Sequence, residues 1–178
     1  MKKISEKILF EGDWLSLKEG TFLNRNKEVI KWEIVKRRYN GTILTMVAKL
    51  VPSGRYVLIK QFRPALDNYV IGFPAGISTN DPPEDALREL KEETGYIGNI
   101  VDRSPVLKAN SGVMGDDFIL FKVEIDEKDP RNVYPKQSLE PAEEIEVILK
   151  REEEIKGFLM EEIKKGCDVS SGLWHFFI

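Results

Sequence analysis

The order of apolar and polar residues predicts a small N-terminal sheet followed by a mixed α/β region. Over residues 4–37, apolar and polar side chains alternate in short stretches that turn residues around Gly12 and Asn24 separate. Such alternation is typical of half-buried antiparallel strands. Further strands are predicted from apolar or alternating runs rich in β-forming residues at 42–51, 56–62, 118–125 and 144–150.

One helix is predicted between residues 82 and 94 by signals at both of its ends. Asp81 fits the N-cap, Pro82 fits the first helical position, and Glu84 completes a capping-box pattern. Gly95 follows Thr94 and suits the left-handed residue that ends a helix. A second, amphipathic helix is predicted after residue 150 and before Gly166, with apolar residues Ile155, Phe158, Leu159 and Ile163.

Three carboxylates are predicted to share one face of the first helix. Glu89, Glu92 and Glu93 stand at i, i+3 and i+4, and like charges at that spacing destabilise a helix. Arg88 can pair with Glu92, but one guanidinium cannot neutralise three carboxylates. A divalent cation such as Mg²⁺, which prefers oxygen ligands, would do so. The alternative for this string alone is a solvated acidic face.

The run from Arg88 to Tyr96 resembles the second half of the Nudix hydrolase box, Gly-x5-Glu-x7-Arg-Glu-U-x-Glu-Glu-x-Gly-U, where U is aliphatic. The first half departs from it. Gly76 stands two positions closer to Arg88 than the box requires, and Asn80 occupies the place of the first glutamate. The loop before the helix is therefore shortened.

The resemblance extends to the ADP-sugar pyrophosphatase branch of that family. The matching segments are Trp14–Leu17, Lys31–Arg37, Val57–Pro64, Phe73–Gly76 and Ala142–Val147. It implies an N-terminal β-sheet region at 1–40, used for dimerisation and substrate binding, and a Nudix domain at 41–178. The fold expected is an α/β/α sandwich around a mixed central sheet. The reaction implied is hydrolysis of ADP-ribose to AMP and ribose 5-phosphate by a homodimer.

The resemblance also assigns the metal and catalytic residues. Glu89, Glu92, Glu93 and the backbone carbonyl of Ala75 would hold Mg²⁺, or Mn²⁺ in its place, and Glu93 is the central catalytic carboxylate. Arg88 would orient the carboxylates, because its planar fork can bind two oxygens at once.

A glutamate on a long loop is implied as the group that orients or deprotonates the attacking water. Residues 126–141 contain Pro130, Pro135 and Pro141 and predict such a loop, which leads directly to Glu143 and Glu144. Glu143 is the better match and Glu144 the alternative. A third possibility is that both are solvated loop charges and that a box glutamate is the base.

Substrate-binding residues are implied in and near the N-terminal region. Trp14 and Trp32 would stack on the adenine, Glu33 would accept a hydrogen bond from the base amine, and Arg37 and Arg63 would contact the diphosphate or terminal ribose. The alternatives are that the tryptophans fill a dimer interface and that the arginines form ordinary ion pairs.

Two competing functions follow from departures within this resemblance. The loop at 110–117 has Ser111 where relatives have proline. Because the resemblance places this loop beside the terminal sugar, the difference can change which sugar fits. Another nucleoside diphosphate sugar, such as GDP-mannose, is therefore an alternative substrate. The shortened loop after Gly76 favours a non-catalytic nucleotide-binding module.

Composition excludes several other classes. The 178 residues carry a net charge of −3 without a basic stripe, which argues against nucleic-acid binding. One cysteine excludes an internal disulfide and a cysteine-based zinc site. No run is apolar enough to span a membrane, and we expect a soluble cytoplasmic protein. His175 and Trp174 are expected to be packing residues near the C-terminus.

Overall fold

The computed structural model describes residues 1–38 and 41–178, which divide into two compact units. The N-terminal unit consists of Met1–Ile43 and Pro105–Ile119, and the core unit consists of Leu44–Ser104 and Leu120–Ile178. The predicted domain boundary after residue 40 falls at residues 39 and 40, which lie outside the described residues.

The strands and helices follow one another along the chain in this order. The strands are β1 (Lys2–Glu11), β2 (Leu15–Leu23), β3 (Val29–Arg37), β4 (Thr42–Val51), β5 (Tyr56–Arg63), β6 (Asn68–Gly72), β7 (Ala75–Ser78), β8 (Asn99–Arg103), β9 (Leu107–Lys108), β10 (Asp117–Asp126), β11 (Ile145–Lys150) and β12 (Asp168–Val169). The helices are α1 (Pro82–Thr94), α2 (Glu152–Lys164) and α3 (Ser171–Phe177), with a short 3₁₀ helix at Pro130–Asn132.

In the N-terminal unit, β1, β2 and β3 form an antiparallel sheet, as the alternating pattern predicts. The pairing of β2 with β3 is continuous from Leu15 opposite Arg37 to Leu23 opposite Val29. The 110–115 segment adds to this unit, because the Val35 N–H donates to the Val113 carbonyl at 3.0 Å.

The core unit is built on a mixed sheet in the order β12-β6-β5-β4-β10-β8, with β11 paired to β5 and β7 to β4. Most of its pairs are antiparallel, and β12 runs parallel to β6. The strands predicted at 42–51, 56–62, 118–125 and 144–150 are confirmed within one or two residues at each end.

Helices cover both faces of the core sheet, which confirms the predicted sandwich. On one face, side chains of α2 and α3 pack on β4, β5 and β6. The buried cluster consists of Val47, Tyr56, Leu58, Ile71, Phe73, Ile155, Leu159 and Leu173. Helix α1 buries Ala86 and Leu90 and contacts β7 and β8. The charges of Arg63, at the end of β5, and of Glu143, just before β11, act on Glu93 of this helix.

The structure corrects two expectations. The segment from Ala75 to Ser78, expected to be part of the loop before α1, forms strand β7, because the Met46 N–H donates to the neighbouring Pro74 carbonyl at 2.9 Å and extends the sheet. His175 is exposed and not a packing residue, since α3 turns Leu173 and Trp174 toward the core and His175 away from it. Within the described ranges, no helix is long and apolar enough to cross a membrane.

Candidate active site

The caps predicted for α1 are present and fix where its carboxylates lie. The Asp81 side chain accepts a hydrogen bond from the Glu84 N–H, and Gly95 ends the helix with φ of 77°. Gly95 is also required by packing, since a Cβ there would lie 2.3 Å from the Lys136 nitrogen. The end of α1 and the long loop therefore touch through backbone.

Glu93 is the most buried carboxylate of the box. It is 2% exposed, and its Oε2 accepts a hydrogen bond from the Ala75 N–H at 2.9 Å. Burial, joined by the negative charges of Glu143 and Glu89, raises the pKa of Glu93 to about 8, although the Ala75 N–H and the charge of Arg63 act in the opposite direction. The surroundings of Glu93 therefore disfavour a negative charge on its side chain.

Glu89 lies against the loop that precedes α1. A Cβ on Gly76 would lie only 2.3 Å from Glu89 Cγ, so the backbone at this position passes directly over that side chain. Burial raises the pKa of Glu89, and the charges of Glu92 and Glu143 add to the effect, while Arg88 opposes it. Although the loop is shortened, the backbone of Gly76 still packs against the Glu89 side chain of α1.

Arg88 binds several carboxylates at once. Its guanidinium donates to Glu92 Oε2 at 2.6 Å, Glu89 Oε1 at 2.9 Å and Asp85 Oδ1 at 3.4 Å. The orienting role predicted for Arg88 fits this geometry. Asp85 was missed by the sequence analysis, although its place three residues before Arg88 on the same helix could have indicated it. Its Oδ2 accepts a hydrogen bond from Ser78 Oγ at 2.6 Å.

The carboxylates suit a hard cation, although they do not form a complete coordination shell by themselves. Among the described residues, no three histidine, cysteine, aspartate or glutamate side chains converge in a metal-binding arrangement. Glu92 is engaged by Arg88, whereas burial and mutual repulsion raise the pKa of Glu89 and Glu93. A bound cation would relieve that repulsion. The ligand set of Ala75, Glu89, Glu92 and Glu93 stays a prediction.

The long loop is held against the end of α1. Gln137 Nε2 donates to the Glu93 carbonyl at 2.7 Å and to the Ile145 carbonyl at 3.1 Å, and the Ser138 N–H donates to the Glu92 carbonyl at 2.8 Å. Because Ile145 begins β11, Gln137 ties the box helix to the strand that follows the loop.

Asn132 anchors the other end of this loop. It is 6% exposed, its Oδ1 accepts a hydrogen bond from the Ile97 N–H, and its Nδ2 donates to the carbonyls of Ile97 and Asp126. One side chain therefore satisfies three backbone groups where regular pairing is absent. Asn132 and Gln137 were not identified from the sequence.

The two candidate base residues have different surroundings. Glu143 is half-buried, accepts a hydrogen bond from the Glu140 N–H at 2.9 Å, and raises the pKa of both Glu89 and Glu93 through its charge. Glu144 is exposed and accepts a hydrogen bond from the Tyr69 hydroxyl. Glu143 is therefore the one that acts electrostatically on the box carboxylates.

The remaining predicted substrate residues lie in the N-terminal unit, apart from Arg63 in the core unit. Trp32 is 51% exposed, and its ring N–H donates to the Gly112 carbonyl at 2.9 Å, which fixes the plane of the indole. Arg37 Nε donates to Asp116 Oδ2 at 3.0 Å. Trp14, 76% exposed, and Glu33, also exposed, lie in the same unit.

A shallow cavity of about 330 Å³ borders Trp32 in this unit. It is lined by Met1, Phe22, Trp32, Ile34 and Ser111–Gly115. The loop at 110–116 thus contacts both Trp32 and Arg37. Asp116, which binds Arg37, was missed because its partner is 79 positions away in the sequence.

Comparisons with known proteins identify the family to which the chain is related. No family model matches the chain. It is 33% identical over 153 residues to the ADP-sugar pyrophosphatase of Mus musculus, a match that covers 81% of this chain and 70% of that protein. An uncharacterized Nudix hydrolase of Schizosaccharomyces pombe is 29% identical over 76% of this chain and 70% of its own length.

A yeast protein and a solved structure extend the comparison. The ADP-ribose pyrophosphatase of Saccharomyces cerevisiae is 34% identical over 75% of this chain and 62% of its own. The crystal structure of an ADP compounds hydrolase shares the fold with a TM-score of 0.66 at 18% identity, covering 93% of this chain and 96% of that one. The chain belongs to the Nudix hydrolase family, in its ADP-sugar pyrophosphatase branch.

Proposed function

We propose that the protein hydrolyses the diphosphate linkage of ADP-sugars and that ADP-ribose, cleaved to AMP and ribose 5-phosphate, is its main substrate. The proposal is supported by the relatives named ADP-sugar pyrophosphatase and ADP-ribose pyrophosphatase. The observation that carries it is the buried Glu93, held by the Ala75 N–H among carboxylates whose charges are not balanced.

The cation is proposed to be Mg²⁺, with Mn²⁺ as the alternative. Nudix hydrolases generally use divalent metal ions. Glu89, Glu92, Glu93 and the Ala75 carbonyl would hold it. When bound, such an ion neutralises charge on a diphosphate and lowers the pKa of water.

Glu143 is proposed to receive the proton of the attacking water. As the water oxygen forms a bond to one phosphorus, the bond from that phosphorus to the bridging oxygen breaks, and the second phosphate leaves. Arg88 keeps the box carboxylates in place through its three contacts, and Arg63 supplies positive charge beside Glu93.

The N-terminal unit is proposed to select the nucleoside. Trp14 and Trp32 would stack on adenine, each such contact contributing about 1–3 kcal/mol. Glu33 would accept a hydrogen bond from the base amine, and Arg37 would contact the diphosphate or the terminal ribose. The exposure of both tryptophans supports this role, as does the bond that fixes the Trp32 ring.

We also propose that the enzyme acts as a cytoplasmic homodimer, with the N-terminal region at residues 1–40 taking part in dimerisation and residues 41–178 forming the Nudix domain. The exposed apolar side chains of β1, which include Ile4, Ile8 and Phe10, support an interface there.

The decisive experiment is incubation of the purified protein with ADP-ribose and Mg²⁺, with and without EDTA, and identification of the products by mass. AMP and ribose 5-phosphate that disappear on chelation are expected. ADP-glucose and GDP-mannose are compared by kcat/KM, and preference for GDP-mannose would overturn the adenine assignment. Absence of turnover on the whole panel would overturn the hydrolase proposal and favour a binding module.

A further inference from the structure

Gln137 joins two elements of the candidate site that lie far apart in the sequence. It belongs to the long loop between β10 and β11, and its side-chain nitrogen Nε2 carries two N–H groups. This nitrogen donates to the Glu93 carbonyl at 2.7 Å and to the Ile145 carbonyl at 3.1 Å. A carbonyl near the end of α1 and a carbonyl at the start of β11 therefore both lie within 3.1 Å of a single atom.

The loop is docked on α1 through its main chain, without help from this side chain. The Ser138 N–H donates to the Glu92 carbonyl at 2.8 Å, and a Cβ on Gly95 would lie 2.3 Å from the Lys136 nitrogen. Gln137 itself is exposed, so it adds little to the core. What its side chain adds to the main-chain contacts is the connection from α1 to Ile145.

Each end of this connection lies close in the chain to a carboxylate of the proposed mechanism. Glu93 offers its carbonyl to Gln137, while its side chain accepts a hydrogen bond from the Ala75 N–H at 2.9 Å. Glu143 lies two residues before Ile145, in the turn that leads into β11. Burial raises the pKa of Glu93, and the charge of Glu143 raises it further, so the two carboxylates lie within electrostatic reach of each other.

We propose that Gln137 is a positioning residue that holds Glu93 and Glu143 at the separation that hydrolysis requires. This inference rests on the proposed hydrolytic function, in which Glu143 receives the proton of the attacking water. Helix α1 packs on β7 and β8, whereas β11 pairs with β5, so the two carboxylates belong to elements attached to different strands. A displacement of about 1 Å between reacting groups can cost about 10²-fold in rate. The side chain that bridges the two elements should therefore act on kcat.

The first test is Gln137→Met, which keeps the length of the side chain and removes both donors. We expect kcat for ADP-ribose to fall about 10- to 100-fold, the range for residues that orient other functional groups, with KM within about twofold. The melting temperature in EDTA should fall by no more than about 6 °C, since an exposed side chain loses two hydrogen bonds. Ser138→Ala, which keeps the main-chain bond to Glu92, is the matched control and should behave as the wild type.

A double-mutant cycle with Glu143→Gln tests whether Gln137 acts through Glu143. Once Glu143 has been replaced, there is no base left to position. Gln137→Met should then lower kcat by less than about threefold, because residues that act as a unit are not additive. The same loss of kcat with and without Glu143 would overturn the proposal, as would an unchanged kcat in Gln137→Met alone.

Asn132→Ala separates this role from a general loosening of the loop. Asn132 binds backbone groups of Ile97 and Asp126, outside the carboxylate site, and is buried. Its replacement should lower the melting temperature more than Gln137→Met does and leave kcat within about twofold. Equal losses of kcat in the two variants would overturn the proposal. Wild-type turnover that Glu143→Gln lowers separates these outcomes from failure of the hydrolase proposal.

Discussion

The two faces of β5 carry charged clusters that are balanced in opposite ways. On one face, Lys60 and Lys165 donate to Glu162 at 3.0 and 2.6 Å, and hydrogen bonds from Lys165 and then Lys60 lower the pKa of Glu162 to about 2. On the other face, burial and neighbouring carboxylates raise the pKa of Glu93 to about 8. Strand β5 thus lies between Glu162, whose charge is balanced by two lysines, and Glu93, whose charged form is disfavoured by burial and by other carboxylates.

The difference separates stability from function. A carboxylate with two ammonium partners stabilises the folded protein and needs no ligand to balance its charge. A buried carboxylate beside other carboxylates costs free energy until a cation or substrate arrives, and such strain is characteristic of functional sites. Variants on the two faces should therefore affect different quantities.

The largest effect is expected from Glu93→Gln. Removing the central carboxylate should lower kcat at least 10²- to 10³-fold, the range for loss of one electrostatic contact in an active site. The melting temperature should be unchanged or higher, because the amide is uncharged and can still accept the hydrogen bond from the Ala75 N–H. Steady-state kinetics and thermal unfolding measure both, with the exposed Glu153→Gln as control. Turnover near that of the wild type would remove Glu93 from the mechanism.

A smaller effect is expected from Arg88→Lys. The single ammonium of lysine cannot reach Asp85, Glu89 and Glu92 together, so the carboxylates should lose their orientation while the charge is kept. We expect kcat/KM to fall about 10- to 100-fold. Lys91→Arg, an exposed substitution on the same helix, is the control. Equal kcat/KM in the two variants would mean that charge alone matters at position 88.

The smallest effect is expected on the other face, from Glu162→Gln. The pKa of Glu162 in the folded protein, about 2, lies below its ordinary value of 4.5. Its contribution to stability is therefore present above pH 4.5 and is lost as the pH falls toward 2. The variant should melt lower than the wild type at pH 7, the gap should be smaller at pH 3, and kcat should stay within twofold.

Each 1 kcal/mol lost corresponds to about 2–4 °C in a protein of this size. Glu161→Gln, an exposed neighbour on α2, should leave the melting temperature unchanged at both pH values. A gap between wild type and Glu162→Gln that stays constant from pH 7 to pH 3 would contradict the balanced-charge account of this face.

The sequence predicted those parts of the site that short-range rules determine. The ends of α1 follow from Asp81 and Gly95, and the pairing of Arg88 with Glu92 follows from helix spacing. The strand β7 was missed because it forms through pairing with β4, and Asp116 because its partner is remote in sequence. The two contacts of Gln137 likewise depend on how the long loop folds between α1 and β11, which local patterns do not reveal.

The anchoring of the long loop has a consequence for its motion. Asn132 and Gln137 together bind backbone groups at Ile97, Asp126, Glu93 and Ile145. A segment with little regular structure is thereby joined to several elements of the core unit. Its anchored amide hydrogens, such as that of Ser138, would exchange with solvent at rates closer to those of the sheet than to those of a free surface loop.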